Sequence, residues 1–394
     1  MTRRVVIVSG EASGDLYGAD LARHLKAQLP DTELWGVGGV RMQDAGVRLL
    51  ADSRAWGAIG IIESLKVAPR VWRVFLRLKR ALKRLQPDLL VAIDFGAFNI
   101  PLCRWAKAQG MRVVYYMPPS SWRRDRQGRD LPAVADVVLT PFAWSAEILQ
   151  AMGANAIRIR HPLLRLTHPS ESKITFCQRL GLDPDRPIVA LLPGSRRHEV
   201  RALTTLYARV ASLLTERMPE VQFVLSVAPH FTPEYLHTLW ADGQKQWVPT
   251  ETRPVADMLA HADCAVICSG TATLEAALLD TPMLIVYRGD ALMNLEYRLR
   301  KRRLALEMIG LPNLILGRKV IPELIQEQAT PRTVSQGLLE LLKRGELYHQ
   351  QKQAFGEIRR ILGEGEDLWE APAWIVRYLT ELTPPRAASS ESPY

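Results

Sequence analysis

The sequence predicts an α/β protein with two consecutive, doubly wound, Rossmann-like lobes. Short apolar runs without polar alternation recur along the chain, separated by helical patterns, as is typical of parallel strands covered on both faces. The pattern breaks at residues 166–185 and then restarts with a new strand. A chain of 394 residues is also too long for one ordinary hydrophobic core, so two domains are expected.

The first lobe is predicted over residues 1–165. Its first strand runs into a glycine-rich turn, which is followed by a helix from about Asp15 to Gln28. The predicted strands of this lobe are Val5–Val8, Leu34–Gly36, Leu89–Ile93, Arg112–Tyr116 and Val137–Thr140.

The second lobe is predicted over residues 186–365, after a polar, proline-containing linker at 166–185. A C-terminal helix is expected over 366–383 and a mobile Ser/Pro-rich tail over 384–394. Open α/β sheets bind ligands outside the carboxyl ends of their strands, so we expect a cleft between the lobes to hold the site. The predicted strands of the second lobe are Pro187–Leu192, Val221–Val227, Cys264–Cys268 and Met283–Tyr287.

The composition limits the cellular compartment and the binding partners that are expected for this protein. No apolar stretch approaches the ~20 residues of a membrane-spanning helix, and the first apolar run enters a glycine turn instead of a signal-peptide cleavage site. We therefore expect a cytoplasmic protein without a transmembrane anchor. The four cysteines lack zinc-site spacing and are expected to be free, buried thiols. A net charge of +10 favours acidic partners: nucleic acid, anionic lipid or a phosphorylated substrate.

Two strand-to-helix turns of the second lobe, LLPGSRRHEV and CSGTATLEAALL, predict a nucleotide-diphosphate site. Backbone amides and hydroxyls at a helix start would hold phosphate oxygens, an arginine would stabilise the departing diphosphate, and a glutamate would accept hydrogen bonds from ribose hydroxyls. The alternatives are ordinary glycine turns and a glutamate that only complements the helix dipole. The residues assigned to the site are Gly194, Ser195, Arg196, Ser269, Gly270, Thr271 and Glu275.

No Asp-X-Asp pair stands at a predicted strand end, so a divalent metal carrying the diphosphate is not indicated. We expect no cofactor and a metal-independent reaction. Cationic side chains and a helix dipole would stabilise the leaving group instead.

In the first lobe, Asp94 ends the strand Leu89–Ile93 and Glu11 and Asp15 lie in the turn SGEASGD. A carboxylate at a strand's carboxyl end is suited to act as a general base. Asp94 is equally suited to capping the next turn, and spacing alone leaves both interpretations open. Glu11 and Asp15 are rival bases, and His161 is a weaker one.

The segment Pro69–Leu85 is amphipathic, with arginines at i, i+3 and i+7 spacing on one face. This pattern is typical of a basic surface helix or of an interfacial helix attracted to anionic lipid. A second basic cluster, Arg298 to Arg303, adds to the lipid interpretation. The predicted lipid-contacting residues are Trp72, Arg73, Phe75, Arg77 and Arg80.

Six motifs in one order, from Val5 to about Glu327, resemble the bacterial lipid-A-disaccharide synthase family. The resemblance implies the GT-B fold and an inverting transfer from UDP-2,3-diacylglucosamine to 2,3-diacylglucosamine 1-phosphate, giving a β-1,6-linked disaccharide. It also implies work at the cytoplasmic face of the inner membrane. The motifs are SGEASGD, GVGGVRMQDAG, GIIESL, LLPGSRRHEV, SGTATLEAALLDTPMLIVYR and LPNLILGRKVIPELIQE.

By resemblance, the family's site residues fall on Asp94, Arg196, Glu275 and Asn313, and its membrane-contacting segment falls near Ile61–Leu78. The implied partners are a UDP-linked acylated sugar, a phosphorylated glycolipid acceptor and an anionic membrane surface. The sequence leaves open whether the chain forms a homo-oligomer. The chain departs from the family pattern at Ala97, Pro118–Arg124, Arg160 and Arg165, all in the first lobe.

Two other functions are compatible with these patterns. One is a related GT-B enzyme with another acceptor, or a sugar-nucleotide epimerase on the same fold, since fold alone does not settle function. The other is a basic nucleic-acid-binding protein. No basic run interleaves with aromatic residues to form a base-stacking platform, so nucleic acid is not an expected partner.

Overall fold

A computed structural model describes residues 2–53, 61–118, 129–229, 231–241, 248–288 and 308–381, without the side chains of 61–70 and 241. Within these ranges the chain forms two parallel sheets flanked by helices. The predicted α/β class with two Rossmann-like lobes is confirmed.

The first sheet has seven parallel strands in the order β3-β2-β1-β4-β5-β6-β7. The central strands β4 and β5 are buried along their whole length, and β1 is buried from Val5 to Ser9, because helices cover both faces. The strands are β1 (Arg4–Ser9), β2 (Glu33–Gly38), β3 (Arg48–Asp52), β4 (Leu89–Ile93), β5 (Val113–Tyr116), β6 (Val137–Thr140) and β7 (Ala156–Arg158). The helices along this part of the chain are α1 (Ala12–Gln28), α2 (Val40–Asp44), α3 (Ile61–Leu85), α4 (Gly96–Ala108), α5 (Leu131–Val134) and α6 (Ala143–Ala151).

The second sheet has six parallel strands in the order β10-β9-β8-β11-β12-β13. Its strands are β8 (Ile188–Leu192), β9 (Gln222–Ser226), β10 (Thr250–Glu251), β11 (Cys264–Cys268), β12 (Met283–Tyr287) and β13 (Glu323–Ile325). The helices that follow α6 are α7 (Leu163–Leu166), α8 (Lys173–Leu180), α9 (Arg197–Thr215), α10 (Pro233–Ala241), α11 (Val255–His261), α12 (Thr271–Leu278), α13 (Leu311–Leu316), α14 (Pro331–Leu342), α15 (Glu346–Ile361) and α16 (Ala371–Glu381).

Each sheet has one point where the strand order reverses direction. In the first sheet it lies between β1 and β4, and in the second between β8 and β11. Adjacent loops leave in opposite directions there and open a crevice at the carboxyl edge, which is where such sheets bind ligands. The functional turns predicted from the sequence follow these four strands.

The chain divides into two compact units whose bounds differ from the predicted ones. The first unit holds residues 1–162 together with 362–394, and the second holds 163–361. The segment 166–185, predicted as a linker, contains α8 and packs against α11 within the second unit. The C-terminal helix α16 returns to the first unit, where it packs against α1.

The described residues contain no helix that is long and apolar enough to cross a membrane. All four cysteines are buried and free, as the sequence predicted. Burial raises the pKa of the Cys103 thiol to about 12, which keeps it protonated and unreactive.

Candidate functional site

The turn after β4 places Asp94 at the reversal point of the first sheet. Asp94 and Phe95 are consecutive non-glycine residues in the left-handed region, with φ of 47° and 46°. Each such residue costs on the order of 1–3 kcal/mol and persists only where its surroundings fix it, typically at functional sites. The Phe95 ring lies over Gly10, where an added Cβ would stand only 2.2 Å from the ring.

The carboxyl group of Asp94 is partly buried, and its pKa is raised from 3.8 to about 6. Burial is the main cause, the negative charge of Glu11 adds to it, and the Phe95 amide opposes it by donating to the carboxylate. Glu11 is exposed, and its side chain makes no capping hydrogen bond at the start of α1. A carboxylate with a pKa near neutrality is suited to removing a proton.

Asp15 has a structural role, which corrects its assignment as a candidate base. It is buried, and its carboxylate accepts backbone hydrogen bonds that cap the start of α2. Three amides occupy three of its roughly four lone-pair sites, so the buried carboxylate is poorly placed to accept a substrate proton. The donors are Gly39 at 2.7 Å, Met42 at 3.1 Å and Arg41 at 3.1 Å.

His161 is buried between the rings of Tyr17 and Phe142, with centroid distances of 6.3 and 6.2 Å. Burial lowers its pKa to about 3, so it is neutral and a weak base at physiological pH. Its candidacy as a base is thereby weakened further, in favour of Asp94 or Glu11.

Three of the four departures from the family pattern include described residues with clear positions. Ala97 is exposed in the first turn of α4, beside Asp94. Arg160 donates to the Glu366 carbonyl at 2.6 Å and pairs with Glu370 at 3.5 Å, so it fastens the returning C-terminal segment. Arg165 lies on α7 and is partly buried. Most of Pro118–Arg124 lies outside the described residues, as does all of Arg298–Arg303.

In the second unit, the turn after β8 brings Gly194, Ser195 and Arg196 to the start of α9. Gly194 has φ of 96°, and an added Cβ would stand 2.6 Å from the Glu199 carboxylate, so glycine is required here. Ser195 is exposed.

Arg196 is held by Glu199, a buried carboxylate that the sequence analysis did not single out. One Glu199 oxygen accepts from the Arg196 side chain at 2.9 Å and the other accepts from its backbone amide at 3.2 Å. Glu199 is 2% exposed and Arg196 is 27% exposed by side chain. The Arg196 guanidinium is thus partly exposed at the reversal point, while the buried Glu199 carboxylate fixes its position and balances its charge. The spacing of three residues from Arg196 to Glu199 at a helix start was the available signal.

The turn after β11 places Ser269, Gly270 and Thr271 at the start of α12. Gly270 is exposed and Thr271 is half-buried, so the first amides of α12 lie near the surface. The Ser269 hydroxyl donates to the Ile309 carbonyl at 2.9 Å, which leaves its lone pairs but not its proton for a ligand. Glu275, one turn further, is half-buried and already makes an interaction within the protein.

Asn313 supports the loop and is not exposed to a ligand, which corrects its assignment as a UDP-binding residue. It is fully buried. Its carbonyl oxygen accepts from the amides of Val320 and Ile321 at 2.9 and 3.0 Å. Its amide group donates to Ile321 O and to Glu323, both at 2.8 Å.

Glu323, which the sequence analysis missed, links Asn313 to the Ser269 turn. Its two oxygens accept from the amides of Gly310 and Ile309, each at 2.9 Å. Ile309 in turn receives the Ser269 hydroxyl. No sequence pattern marked Glu323, because an acidic residue on a short edge strand resembles an ordinary surface charge.

The predicted lipid-contacting residues share α3 but differ in exposure. Trp72 is 60% exposed, whereas Phe75 is partly buried and packs edge-on against Phe98 at 5.5 Å. Phe75 therefore supports the helix, and Trp72 stacks on its outer face at 5.5 Å. Arg73, Arg77 and Arg80 are exposed, and Arg73 makes a further interaction within the protein.

Among the described residues, no group of three or more His, Cys, Asp or Glu side chains is arranged to hold a metal ion. The candidate site residues fall into two groups, one in each unit. The first unit brings together Asp94 and Glu11, and the second brings together the Arg196 turn and the Ser269–Thr271 turn at β8 and β11.

Sequence comparison places this arrangement among known proteins. A family model described as lipid-A-disaccharide synthetase matches residues 5–370. Relatives named lipid-A-disaccharide synthase include one from Syntrophotalea carbinolica, 35% identical over 96% of this chain and 95% of the relative. Another, from Trichlorobacter lovleyi, is 36% identical over 92% and 94%, and one from Coxiella burnetii is 34% identical over 86% and 89%.

Solved structures with the same fold share far less sequence. A spinosyn rhamnosyltransferase complexed with thymidine diphosphate is 14% identical, covers 96% of this chain and all 100% of its own, and has a TM-score of 0.58. A UDP-N-acetylglucosamine 2-epimerase from Neisseria meningitidis, bound to UDP-N-acetylglucosamine, is 11% identical, covers 92% and 99%, and also scores 0.58. Identities this low show the shared two-domain fold alone.

Proposed function

The chain belongs to the lipid-A-disaccharide synthase family of glycosyltransferases, and from that premise we propose that it condenses UDP-2,3-diacylglucosamine with 2,3-diacylglucosamine 1-phosphate. The products are the β-1,6-linked disaccharide 1-phosphate and UDP. The observation that supports this most directly is that one unit holds a carboxylate of raised pKa and the other holds an arginine and a helix start at the ends of adjacent strands.

In the proposed inverting step, Asp94 removes the proton from the acceptor's 6-hydroxyl. The oxygen attacks the anomeric carbon of the donor sugar, and the bond from that carbon to the diphosphate breaks with its electron pair. Burial raises the pKa of Asp94 and the negative charge of Glu11 adds to it, which makes the carboxylate a stronger base. The proton is transferred to the Asp94 carboxylate, which then releases it to water.

Charge on the leaving diphosphate is stabilised in the second unit. Arg196 contributes a positive charge, and the first amides of α12 at Gly270 and Thr271 donate hydrogen bonds. Glu275 accepts from the ribose hydroxyls. These groups replace a divalent metal, and no cofactor takes part. The enzyme works at the inner face of the inner membrane, attached peripherally through α3.

The decisive experiment mixes purified protein with both substrates and measures UDP release and disaccharide formation, with and without EDTA. We expect equal turnover in both conditions. Turnover lost on chelation and restored by magnesium would contradict the metal-free step, and no turnover in either condition would contradict the proposed substrates.

A sugar-nucleotide epimerase is the second candidate, because epimerases share the fold. Incubating the protein with the UDP-sugar alone separates the two functions. An epimerase would convert the donor without an acceptor, whereas the proposed transferase leaves the donor sugar's configuration unchanged until the acceptor is added.

A further inference from the structure

Asn99 is a fully buried amide in α4, close to the reversal point of the first sheet. Its Nδ2 group donates toward backbone carbonyl oxygens of Asp94 at 2.8 Å, Ile93 at 3.1 Å and Val8 at 3.4 Å. Val8 belongs to β1 and Ile93 to β4, so one side chain joins the ends of the two strands that flank the reversal point.

The same amide holds the strained turn. The Asp94 carbonyl accepts from Asn99 and also from the Tyr115 hydroxyl, both at 2.8 Å, while the Asp94 amide donates to Tyr116 O at 3.1 Å. These bonds fix the peptide groups on both sides of Asp94. Because φ and ψ of Asp94 are then fixed, so is the direction in which its side chain leaves the backbone.

The contribution of Asn99 comes from the N–H donors of its side-chain amide. Its Oδ1 atom is buried and has no hydrogen-bond partner among the described residues. Leaving a buried acceptor unpaired is unfavourable, so the amide is retained against a cost. An aspartate of the same shape would instead place carboxylate oxygens against carbonyl oxygens.

We propose that Asn99 is a positioning residue, whose side-chain amide holds the Asp94–Phe95 turn in its left-handed conformation and thereby keeps the Asp94 carboxylate where it can accept the acceptor's proton. The proposal rests on the proposed function, because the role of Asp94 as base belongs to that function.

Loss of the amide should let the turn relax and bring the carboxylate into water. The charged or titratable groups facing Asp94 are Glu11, which raises its pKa, and Tyr115, whose own pKa burial raises above its usual range. With burial reduced, the pKa of Asp94 should fall from about 6 toward 3.8. The acidic limb of the kcat profile should therefore move to lower pH in Asn99→Ala.

The test is a double-mutant cycle of the wild type, Asp94→Asn, Asn99→Ala and the double variant. We expect Asn99→Ala to lower kcat by about 10²-fold, the usual effect of a misplacement near 1 Å. The same change in the Asp94→Asn background should alter kcat less than about twofold, because a residue that acts through Asp94 has nothing left to position. UDP affinity should be unchanged in all four proteins.

The same double-mutant cycle can be measured by thermal unfolding, which does not require enzymatic activity. Folding raises the pKa of Asp94, so the native carboxyl binds its proton more tightly than the unfolded one and native stability falls as pH rises from about 3.8 through 6. Asp94→Asn should therefore raise the melting temperature more at pH 8 than at pH 5. In the Asn99→Ala background, the gain at pH 8 should shrink.

Thr32→Val is the matched control, a buried polar residue at the opposite end of the same sheet, and its effects should add to those of Asp94→Asn. If Asn99→Ala does not fold, Asn99→Ser, which keeps one donor, replaces it. Additive effects on kcat, an unmoved acidic limb and an undiminished gain at pH 8 would overturn the proposal. Absence of turnover in the wild type would reject the proposed function, while the melting cycle would still decide the role of Asn99.

Discussion

The two reversal points have the same topology and opposite chemistry. At β1 and β4, non-glycine residues are held in a strained turn that carries Asp94 next to Glu11. At β8 and β11, Gly194 has a φ of 96°, Arg196 precedes the first residue of α9, and Gly270 precedes the first residue of α12. Under the proposed function, one location in the fold serves proton transfer in the first unit and anion binding in the second, and the residue types at the strand ends decide which.

The starts of α2 and α12 differ in whether a carboxylate of the protein already caps them. The amides at the start of α2 are taken by the Asp15 carboxylate. In the second unit, the first amides of α12 follow Gly270, which has no side chain to cap them. A helix start is an anion site only where the protein has not already supplied its own anion.

The sharpest way to break the comparison is Asp94→Asn. If the first unit performs proton transfer, kcat should fall about 10²–10⁴-fold, the usual contribution of a general base. UDP affinity, which we assign to the second unit, should stay near the wild-type value by calorimetry. Glu11→Gln is the companion variant. A near-normal kcat in Asp94→Asn with a large loss in Glu11→Gln would move the role of base to Glu11.

Arg196→Ala tests the anion-binding side. We expect UDP affinity to fall about 10–100-fold, as charge-assisted hydrogen bonds contribute about 1.5–3 kcal/mol. The variant also leaves the buried Glu199 unpaired, so Arg196→Ala with Glu199→Gln should be more stable than the single variant. Arg197→Ala, the exposed neighbour with the same charge change, is the control. Equal losses in both arginine variants would mean that only overall charge matters.

The helices that precede the strands at the two reversal points also differ. Only the helix of the first unit has the features expected of a membrane-binding surface. Before β4 stands α3, with exposed Trp72 and a basic face; before β11 stands the seven-residue α11. Reversing Arg77 and Arg80 to Glu should weaken binding to vesicles containing anionic lipid by about 30-fold or more, at ~1 kcal/mol per basic residue.

A sedimentation assay with vesicles measures this change. The control reverses two exposed arginines of α9, Arg201 and Arg209, and alters net charge equally. Equal weakening in both variants would remove α3 as the specific contact, and a wild type that does not sediment would remove the membrane surface as a partner.

Glu323→Gln is the smallest and most indirect change. It replaces one acceptor oxygen with a donor next to the amides of Ile309 and Gly310, which should loosen the segment that receives the Ser269 hydroxyl. We expect UDP to bind about fivefold more weakly, corresponding to the loss of about one net hydrogen bond. Glu340→Gln, exposed on α14, should leave UDP binding unchanged. Unchanged binding in both would confine Glu323 to local stability.

The sequence predicted the centres of both sheets better than their edges. The strands β3, β7, β10 and β13 were not predicted, and they are the four edge strands. Central strands are buried on both faces and show as continuous apolar runs, whereas an edge strand such as Arg48–Asp52 is only partly buried and has a charged residue at each end. An edge strand forms because it hydrogen-bonds to the strand next to it in the sheet. A local sequence pattern does not contain information about that neighbour.

The site residues also divide into those that a local sequence pattern can place and those that depend on distant partners. Asp94 and Arg196 could be placed because each follows a predicted central strand. Asp15 was misassigned because the amides it caps lie 24 to 27 residues further along the chain. The functions of Glu199 and Glu323 depend on partners as well, and an isolated acidic letter in a sequence does not show whether it is solvated or buried against an amide.

The return of the C-terminal segment to the first unit has a consequence for biosynthesis. Residues 362–381 complete the first unit through α16 and through the Arg158 and Arg160 contacts with Glu366, whereas the second unit is one continuous stretch, 163–361. Domains generally fold as units while the ribosome is still adding residues. The half that is translated first is therefore the half that is finished last: a nascent chain that has just passed residue 361 holds all of the second unit, while α1 still awaits the helix that covers it.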